Sequence, residues 1–266
     1  NDLSRYTLSP EPLGRGGMAY VYEAVHVDTG LVVAIKRPIP FEGAAERLRR
    51  EAQVLQRVDS PHVIQILGSG TDEDGEPWYA MPKARYNLRD YLDTRTSGLR
   101  TDEIVRIAFD QLSPGLEALH DAGLVHRDIK LENILAIPDT AFEAEVRWVV
   151  SDLGLVRRPP GETTQNLTGS ASMLGTAAYA APEMYGDPHS VSPAADVFSL
   201  GRVIASMATG ERPVPGLRLL PTGELRRVVT ELTREDPRVR PQDARAAVAR
   251  SRELLAEPEV PPQAAI

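Results

Sequence analysis

With 266 residues, 42% of them hydrophobic, 26% charged and none cysteine, the chain can bury a sizeable core, carries neither disulfides nor thiolate metal sites, and lacks the polar bias of a disordered protein. A formal net charge of -8 argues against nucleic acid as a general partner, because phosphate backbones demand clustered Lys and Arg. No apolar run is long enough to span a bilayer, and the opening NDLSRYTLSP has neither the basic nor the apolar region of an export signal, so the chain is read as cytoplasmic.

Tyr6 to Arg37 reads as three antiparallel strands, rich in Val, Tyr and Ile, separated by a Gly-rich turn at Gly14 to Gly17 and a second turn at Asp28-Thr29-Gly30. The glycines of LGRGGMAYVY let backbone N–H groups approach phosphates, because no Cβ intervenes. They lead into a strand rather than opening a helix, which disfavours a dinucleotide fingerprint. Lys36 ends the apolar strand VVAIK and can project one ammonium into a phosphate site. Gly43 to Val58 is predicted to be helical, with Leu48, Ala52, Leu55 and Val58 on its apolar stripe. Glu51 borders that stripe and needs a cation, for which Lys36 is the first candidate and Arg47 at i−4 the alternative. Strands near Val63 to Leu67 and Pro77 to Met81 complete a small sheet with one helix.

Beyond Tyr86 the pattern turns helical. Thr101 reads as an N-cap, Asp102 and Glu103 occupy the first turn, Ile104, Ile107, Ala108, Leu112, Leu116 and Leu119 form the apolar face, and Gly123 closes the helix. HRDIKLEN follows, His126 to Asn133. It draws an acid, a cation and an amide from one short loop, a compact way to position a hydroxyl, a phosphate and a metal. Asn133 to Ala136 and Val146 to Val150 read as short strands, after which SDLGL places Asp152 ahead of a glycine. Asp152 and Asn133 offer the hard oxygen ligands that magnesium prefers, phosphates and water supplying the rest. The stretch from Arg157 to Ala178 is too long to be mere connection. Helices resume at Pro193 to Ala208, near Gly223 to Thr233, and from Gln242 to Leu255, before a Pro-rich end.

Taken in order from Leu13 to Arg240, the motifs GRGGMA, VAIK, Glu51, HRDIKLEN, DLG, GTAAYAAPE and DVFSLG resemble the eukaryotic-like (Hanks-type) bacterial serine/threonine protein kinase family. The resemblance implies an α+β, bilobal protein kinase fold. A small five-stranded antiparallel sheet plus one helix would occupy residues 1–81, a larger, mainly helical lobe residues 82–256, and a flexible tail residues 257–266. It also implies ATP and Mg2+ as cofactors, with Mn2+ able to substitute, and protein Ser/Thr hydroxyls as acceptors. Lys36, held by Glu51, would contact the nucleotide phosphates, Asp128 would accept the hydroxyl proton, Lys130 would stabilise the transferring phosphoryl, and Asn133 and Asp152 would hold the metal. Leu13, Gly14, Gly16, Gly17, Val21, Ala34 and Leu135 would line the nucleotide site. Met81 matches the gatekeeper, and the backbone of Pro82 and Ala84 would bond the base edge. Leu55, Ile66, His126 and Leu153 match a stacked apolar spine, Asp196 an anchor for the catalytic loop, and Glu183 a partner of Arg240.

Arg127 ahead of the catalytic acid implies control by a phosphate on the activation loop, placed by autophosphorylation at Thr168 or Ser170, with Thr163, Thr164 and Ser172 as further candidates. A homodimer that phosphorylates in trans is compatible with the family. The alternative is an ATP-binding pseudokinase scaffold, which the presence of Lys36, Glu51, Asp128, Asn133 and Asp152 disfavours. Four features depart from the usual pattern: Ala19 stands for the third loop glycine, Leu153 for a Phe, IPDTAFEAEVR lengthens a hairpin, and the short stretch from Asp196 to Arg240 leaves little room for a partner-docking helix.

Overall fold

The computed structural model describes residues 2–139, 145–153, 177–186 and 191–257. The amino-terminal sheet is antiparallel throughout, with strands β1 (Tyr6–Arg15), β2 (Ala19–His26), β3 (Val32–Pro38), β4 (Gly68–Thr71) and β5 (Pro77–Pro82) in the order β1-β2-β3-β5-β4. Successive side chains on a strand point to opposite faces, so each strand serves two surfaces. One face gathers Ala24, Val33, Ile35, Trp78 and Ala80 into a small apolar cluster of its own. The other carries Val21, Ala34, Lys36, Tyr79 and Met81, aligned by the cross-strand pairs Val21↔Lys36, Lys36↔Tyr79 and Ala34↔Met81. Helix α1 (Ala44–Leu55) buries Leu48, Glu51 and Leu55.

The fourth strand lies later than its predicted place at Val63 to Leu67. Val63 and Ile64 are buried instead in the main core, where Ile64 N donates to Val150 O at 2.9 Å and Val150 N to His62 O at 3.0 Å. An apolar run mimics a strand, but here its side chains are consumed by the second lobe and the ladder passes to Gly68–Thr71.

The second lobe begins with β6 (Tyr86–Asn87) and α2 (Leu88–Asp93), whose N-cap Asn87 accepts from Asp90 N at 2.9 Å. Next comes one long helical rod made of α3 (Thr101–Ile107), a π-helical turn (Ala108–Leu112) and α4 (Ser113–Asp121). Its first residue is Thr101 and its N-cap is Arg100, without a side-chain cap, a shift of one residue from the expected capping. The π turn has a local cause. Pro114 lacks the N–H that would bond one turn back, and Ser113 answers by turning both its N–H and its Oγ to Ala108 O, the latter at 2.8 Å. Gly123, at φ +72°, ends the rod as expected.

Strands β7 (Ile134–Pro138) and β8 (Val146–Val150) join β6 in a second antiparallel sheet, β6-β7-β8. Helices α5 (Ala194–Thr209), α6 (Leu225–Leu232) and α7 (Ala244–Ala256) complete the lobe. Helix α5 is buried on nearly every side, so it is the post around which the lobe packs. Between α5 and α6, residues 210–224 form neither helix nor strand, in the stretch expected to leave little room for a docking helix. No helix among the described residues is long and apolar enough to cross a membrane.

Candidate active site

Three elements distant in sequence bring charge together at the sheet's inner face. Lys36 Nζ, on β3, donates to both Glu51 carboxylate oxygens at 3.0 and 2.9 Å and to Asp152 Oδ1 at 2.5 Å. Glu51 therefore takes its cation from across the sheet rather than from Arg47. Burial pushes the Lys36 ammonium down, but Asp152, Tyr79 and Glu51 outweigh it and hold the group charged, well above its ordinary pKa. For Glu51, burial pushes the carboxyl up against the pull of Lys36. For Asp152, desolvation also pushes up, but Lys36 outweighs it and the group stays below its ordinary value. Asp152 has φ +57°, a left-handed conformation that costs a non-glycine residue energy and is kept only where the surroundings enforce it.

The loop from His126 to Asn133 supplies the rest. Arg127 has φ +68°, and its strained backbone is held from below, because Asp196 on α5 accepts His126 N at 2.7 Å and Arg127 N at 2.8 Å and meets His120 Nε2 at 3.0 Å. On the upper side Asp128 Oδ2 accepts from Lys130 Nζ and from Asn133 Nδ2, each at 2.8 Å. Asp128 Oδ1 is buried and has no hydrogen-bond partner among the described residues, leaving one acceptor of the carboxylate for an incoming donor. His126 is fully buried, its Nε2 at 2.9 Å from Ser151 O, and burial pushes its pKa down despite the pull of Asp196 and Asp128.

Asn133 spends its amide nitrogen on the Asp128 carbonyl and carboxylate, each at 2.8 Å, so its amide oxygen is the acceptor available for a cation. With Asp152 that makes two hard oxygen donors, a set suited to magnesium that must be completed by phosphates and water. Among the described residues no group of three or more His, Cys, Asp or Glu could hold a metal ion.

The remaining expected residues divide by burial. Ala34 and Met81 are buried, Val21, Pro82, Ala84 and Leu135 half-buried, and Leu13 exposed. A Cβ added at Gly14 or Gly17 would meet nothing within 4 Å, and one at Gly16 would lie 3.5 Å from Ala19 O. None of the three has a positive φ. The fold itself thus places no demand for glycine on this loop, and room for a close ligand is the requirement left. Leu55, His126 and Leu153 are buried, with Ile66 packed against the same core. Arg240 reaches Glu183 at 2.7 and 3.2 Å. The candidate phosphosites Thr163, Thr164, Thr168, Ser170 and Ser172 lie outside the described residues.

Two participants were not foreseen. Tyr79 shares the inner face with Lys36, whose Nζ stands 5.7 Å from the ring centroid, and its hydroxyl is buried beside the charges of Glu51 and Lys36. Its signal was present: it precedes Met81 by one strand period. Lys83, just after β5, forms an ion pair with Glu23 on β2, a link between exposed charges that sequence patterning does not announce.

A family model for the protein kinase domain matches residues 8–245. Among solved structures, the kinase domain of PknI from Mycobacterium tuberculosis is similar over 94% of this chain and 96% of that one, with a TM-score of 0.68 and 22% identity. The structure of Rad53 1-466 in complex with AMP-PNP is similar over 92% of this chain and 64% of that one, with a TM-score of 0.71 and 23% identity. At these identities the likeness to solved structures speaks for the fold.

Proposed function

The chain belongs to the protein kinase domain family, and from that premise we propose that it moves the γ-phosphoryl group of ATP onto Ser or Thr hydroxyls of protein substrates. The observation that carries the reading is the convergence of Lys36, Glu51 and Asp152 above a loop whose Asp128 keeps one carboxylate oxygen without a partner among the described residues. Phosphoryl transfer asks little covalent chemistry of a protein, so positioning and charge neutralisation supply most of the barrier reduction.

In this reading Lys36 turns its ammonium toward the α- and β-phosphates while Glu51 fixes its direction. Asp128 orients the acceptor hydroxyl and takes its proton on Oδ1. Lys130, already 2.8 Å from Asp128 Oδ2, lies where it can neutralise the transferring group, an arrangement that favours Ser and Thr acceptors. A magnesium ion held by Asn133 and Asp152 would neutralise the phosphate oxygens. Activity would be raised by autophosphorylation between Thr163 and Thr176, read through Arg127.

The test is radiolabelling of myelin basic protein from γ-labelled ATP, with phosphoamino-acid analysis and mass spectrometry of the chain itself. Asp128→Asn should lower the rate by about 10²–10⁴-fold, the usual worth of a general base, and Lys36→Met should abolish it. Phosphoserine or phosphothreonine should appear in the product and in the segment between Thr163 and Thr176. Full activity in both variants would overturn the assignment, and an active preparation with that segment unmodified would remove its regulatory part.

A further inference from the structure

Helix α5 is apolar and buried around its circumference, yet its interior carries Arg202, only 5% exposed. Among the described residues this guanidinium forms no ion pair. Its donors go to three backbone carbonyls: Nε to Ala178 O at 3.0 Å, Nη1 to Leu217 O at 2.8 Å and Nη2 to Val214 O at 2.9 Å. A buried cation without a counter-charge is an expensive way to stabilise a core, and an apolar side chain of similar volume would commonly serve stability as well or better. What the fork offers instead is direction, since three carbonyls from two separate segments are fixed relative to one another.

Ala178 is held by its own burial, and in the helix-free stretch 210–224 Pro213 and Pro221 are buried while Leu219 and Leu220 pack against the main core. Between these anchors Val214 and Leu217 are 51% and 64% exposed, so their own packing does not set the carbonyls that Arg202 holds. The ion pairs from this stretch to the body among the described residues, Arg212 to Asp93 and Arg218 to Glu235, are exposed and of the kind that fixes little. Ala178 precedes Tyr179, whose carbonyl is held by Ser199 Oγ at 3.0 Å, within one turn along α5 of Asp196, which holds His126 N and Arg127 N. The Ala178 segment therefore docks on the same stretch of α5 as the loop that carries Asp128.

We propose that Arg202 is a positioning residue for the protein substrate: its guanidinium joins the helix-free 210–224 segment to the backbone at Ala178, making one platform on which an acceptor polypeptide lies beside Asp128. The proposal rests on the reading of the chain as a protein kinase and adds to it a determinant of acceptor recognition that does not touch the nucleotide.

The experiment compares Arg202→Met and Arg202→Lys in the full chain. It measures KM for myelin basic protein, KM for ATP, ATP hydrolysis without acceptor, and hydrogen exchange across 210–224. Arg202→Met should raise the protein KM about tenfold, the equivalent of one such tie, and speed exchange in 210–224, with ATP KM and acceptor-free hydrolysis unchanged. Arg202→Lys keeps the charge but cannot span three carbonyls, so its protein KM should fall between the two. An unchanged protein KM, or a parallel loss of ATP hydrolysis marking general destabilisation, overturns the proposal. If Arg202→Met does not fold, Arg202→Lys decides, and a wild-type KM in it overturns the proposal likewise. A wild-type chain that hydrolyses ATP but labels no protein removes the functional reading first and this one with it. Normal wild-type labelling with an indifferent Arg202→Met sinks this one alone.

Discussion

Two carboxylates lie on opposite sides of the same loop, and they are finished differently. Below it, Asp196 accepts two backbone N–H groups and meets His120, and it is fully buried. Above it, Asp128 shares one oxygen between Lys130 and Asn133 and leaves the other buried without a partner among the described residues. Neighbouring Asp152 sits at a positive φ and divides Lys36 with Glu51. Beneath the loop, where a shape must be held, both oxygens of the Asp196 carboxylate are satisfied. Where the molecule is to react, acceptors are left open and backbone strain is retained, the price being met by the satisfied floor beneath.

The sharpest way to break this contrast is to exchange the roles. Asp196→Ala leaves the N–H groups of His126 and Arg127 unpaired in the interior, at about 1–3 kcal/mol for each buried donor. Urea denaturation should show a loss of about 2–5 kcal/mol, and phosphotransfer should fall with it because Arg127 loses its backbone support. Asp128→Asn should instead cost activity while moving the unfolding free energy by less than about 1 kcal/mol, since its open oxygen contributes nothing to the fold. Equal stability losses in the two variants would show that the floor and the site are not distinct.

Glycines allow the same comparison at smaller scale. A Cβ at Gly115 would lie 2.5 Å from His62 O, a backbone atom that cannot swing away. Gly115→Ala should therefore destabilise by about 1–3 kcal/mol, the usual cost of overpacking. At Gly14 a Cβ meets nothing within 4 Å. Gly14→Ala should leave the thermal midpoint in place and weaken ATP binding, measured by nucleotide titration. A Gly14→Ala variant that melts early, or one that binds ATP as before, would remove the argument that this loop's glycines serve the ligand.

What could be read from the sequence follows the same division. That Lys36 meets Glu51 and Asp152, and Asp128 meets Asn133, could be anticipated because their residue types and their spacing within short motifs survive folding. The three amino-terminal strands and the helices around α5 were legible from periodicity. The fourth strand was not. Val63 and Ile64 look like strand residues because they are buried, but the partner that buries them is β8 across the lobes, which no local pattern reveals. Gly68–Thr71, with little strand propensity of its own, pairs because β5 offers it an edge. The π turn was hidden in an unbroken helical pattern, although Pro114 marked it. Arg202 was visible as the one cation of a largely apolar helix, but the carbonyls it serves belong to segments that only the fold brings near.

The smallest expected effect is on pH dependence, and it reports on the floor. His126 gives its Nε2 to Ser151 O at 2.9 Å and lies with Nδ1 3.3 Å from Asp128 N, a pattern satisfied by the neutral ring with its proton on Nε2. Burial lowers its folded pKa below the ordinary value. The unfolded chain then takes up a proton near pH 6.5, the usual histidine value, while the folded chain does not until lower pH, so stability is full above about 6.5 and declines as pH falls. His62 shifts in the same direction through partial burial, whereas Asp152 contributes only as pH falls through the carboxylate range. Between pH 7 and 5 the unfolding free energy should thus fall by no more than about 1.4 kcal/mol per pH unit for each proton linked. His126→Phe should flatten that slope while lowering stability at pH 7, where its two hydrogen bonds are lost. The residual slope combines His62 with the opposing contribution of Glu51, whose raised carboxyl takes up its proton first in the folded chain. An unchanged slope in His126→Phe would mean that the ring takes up its proton equally in the folded and unfolded chain; below about pH 6.5 Nδ1 would then confront the Asp128 N–H donor to donor, undoing the satisfied geometry attributed to the floor.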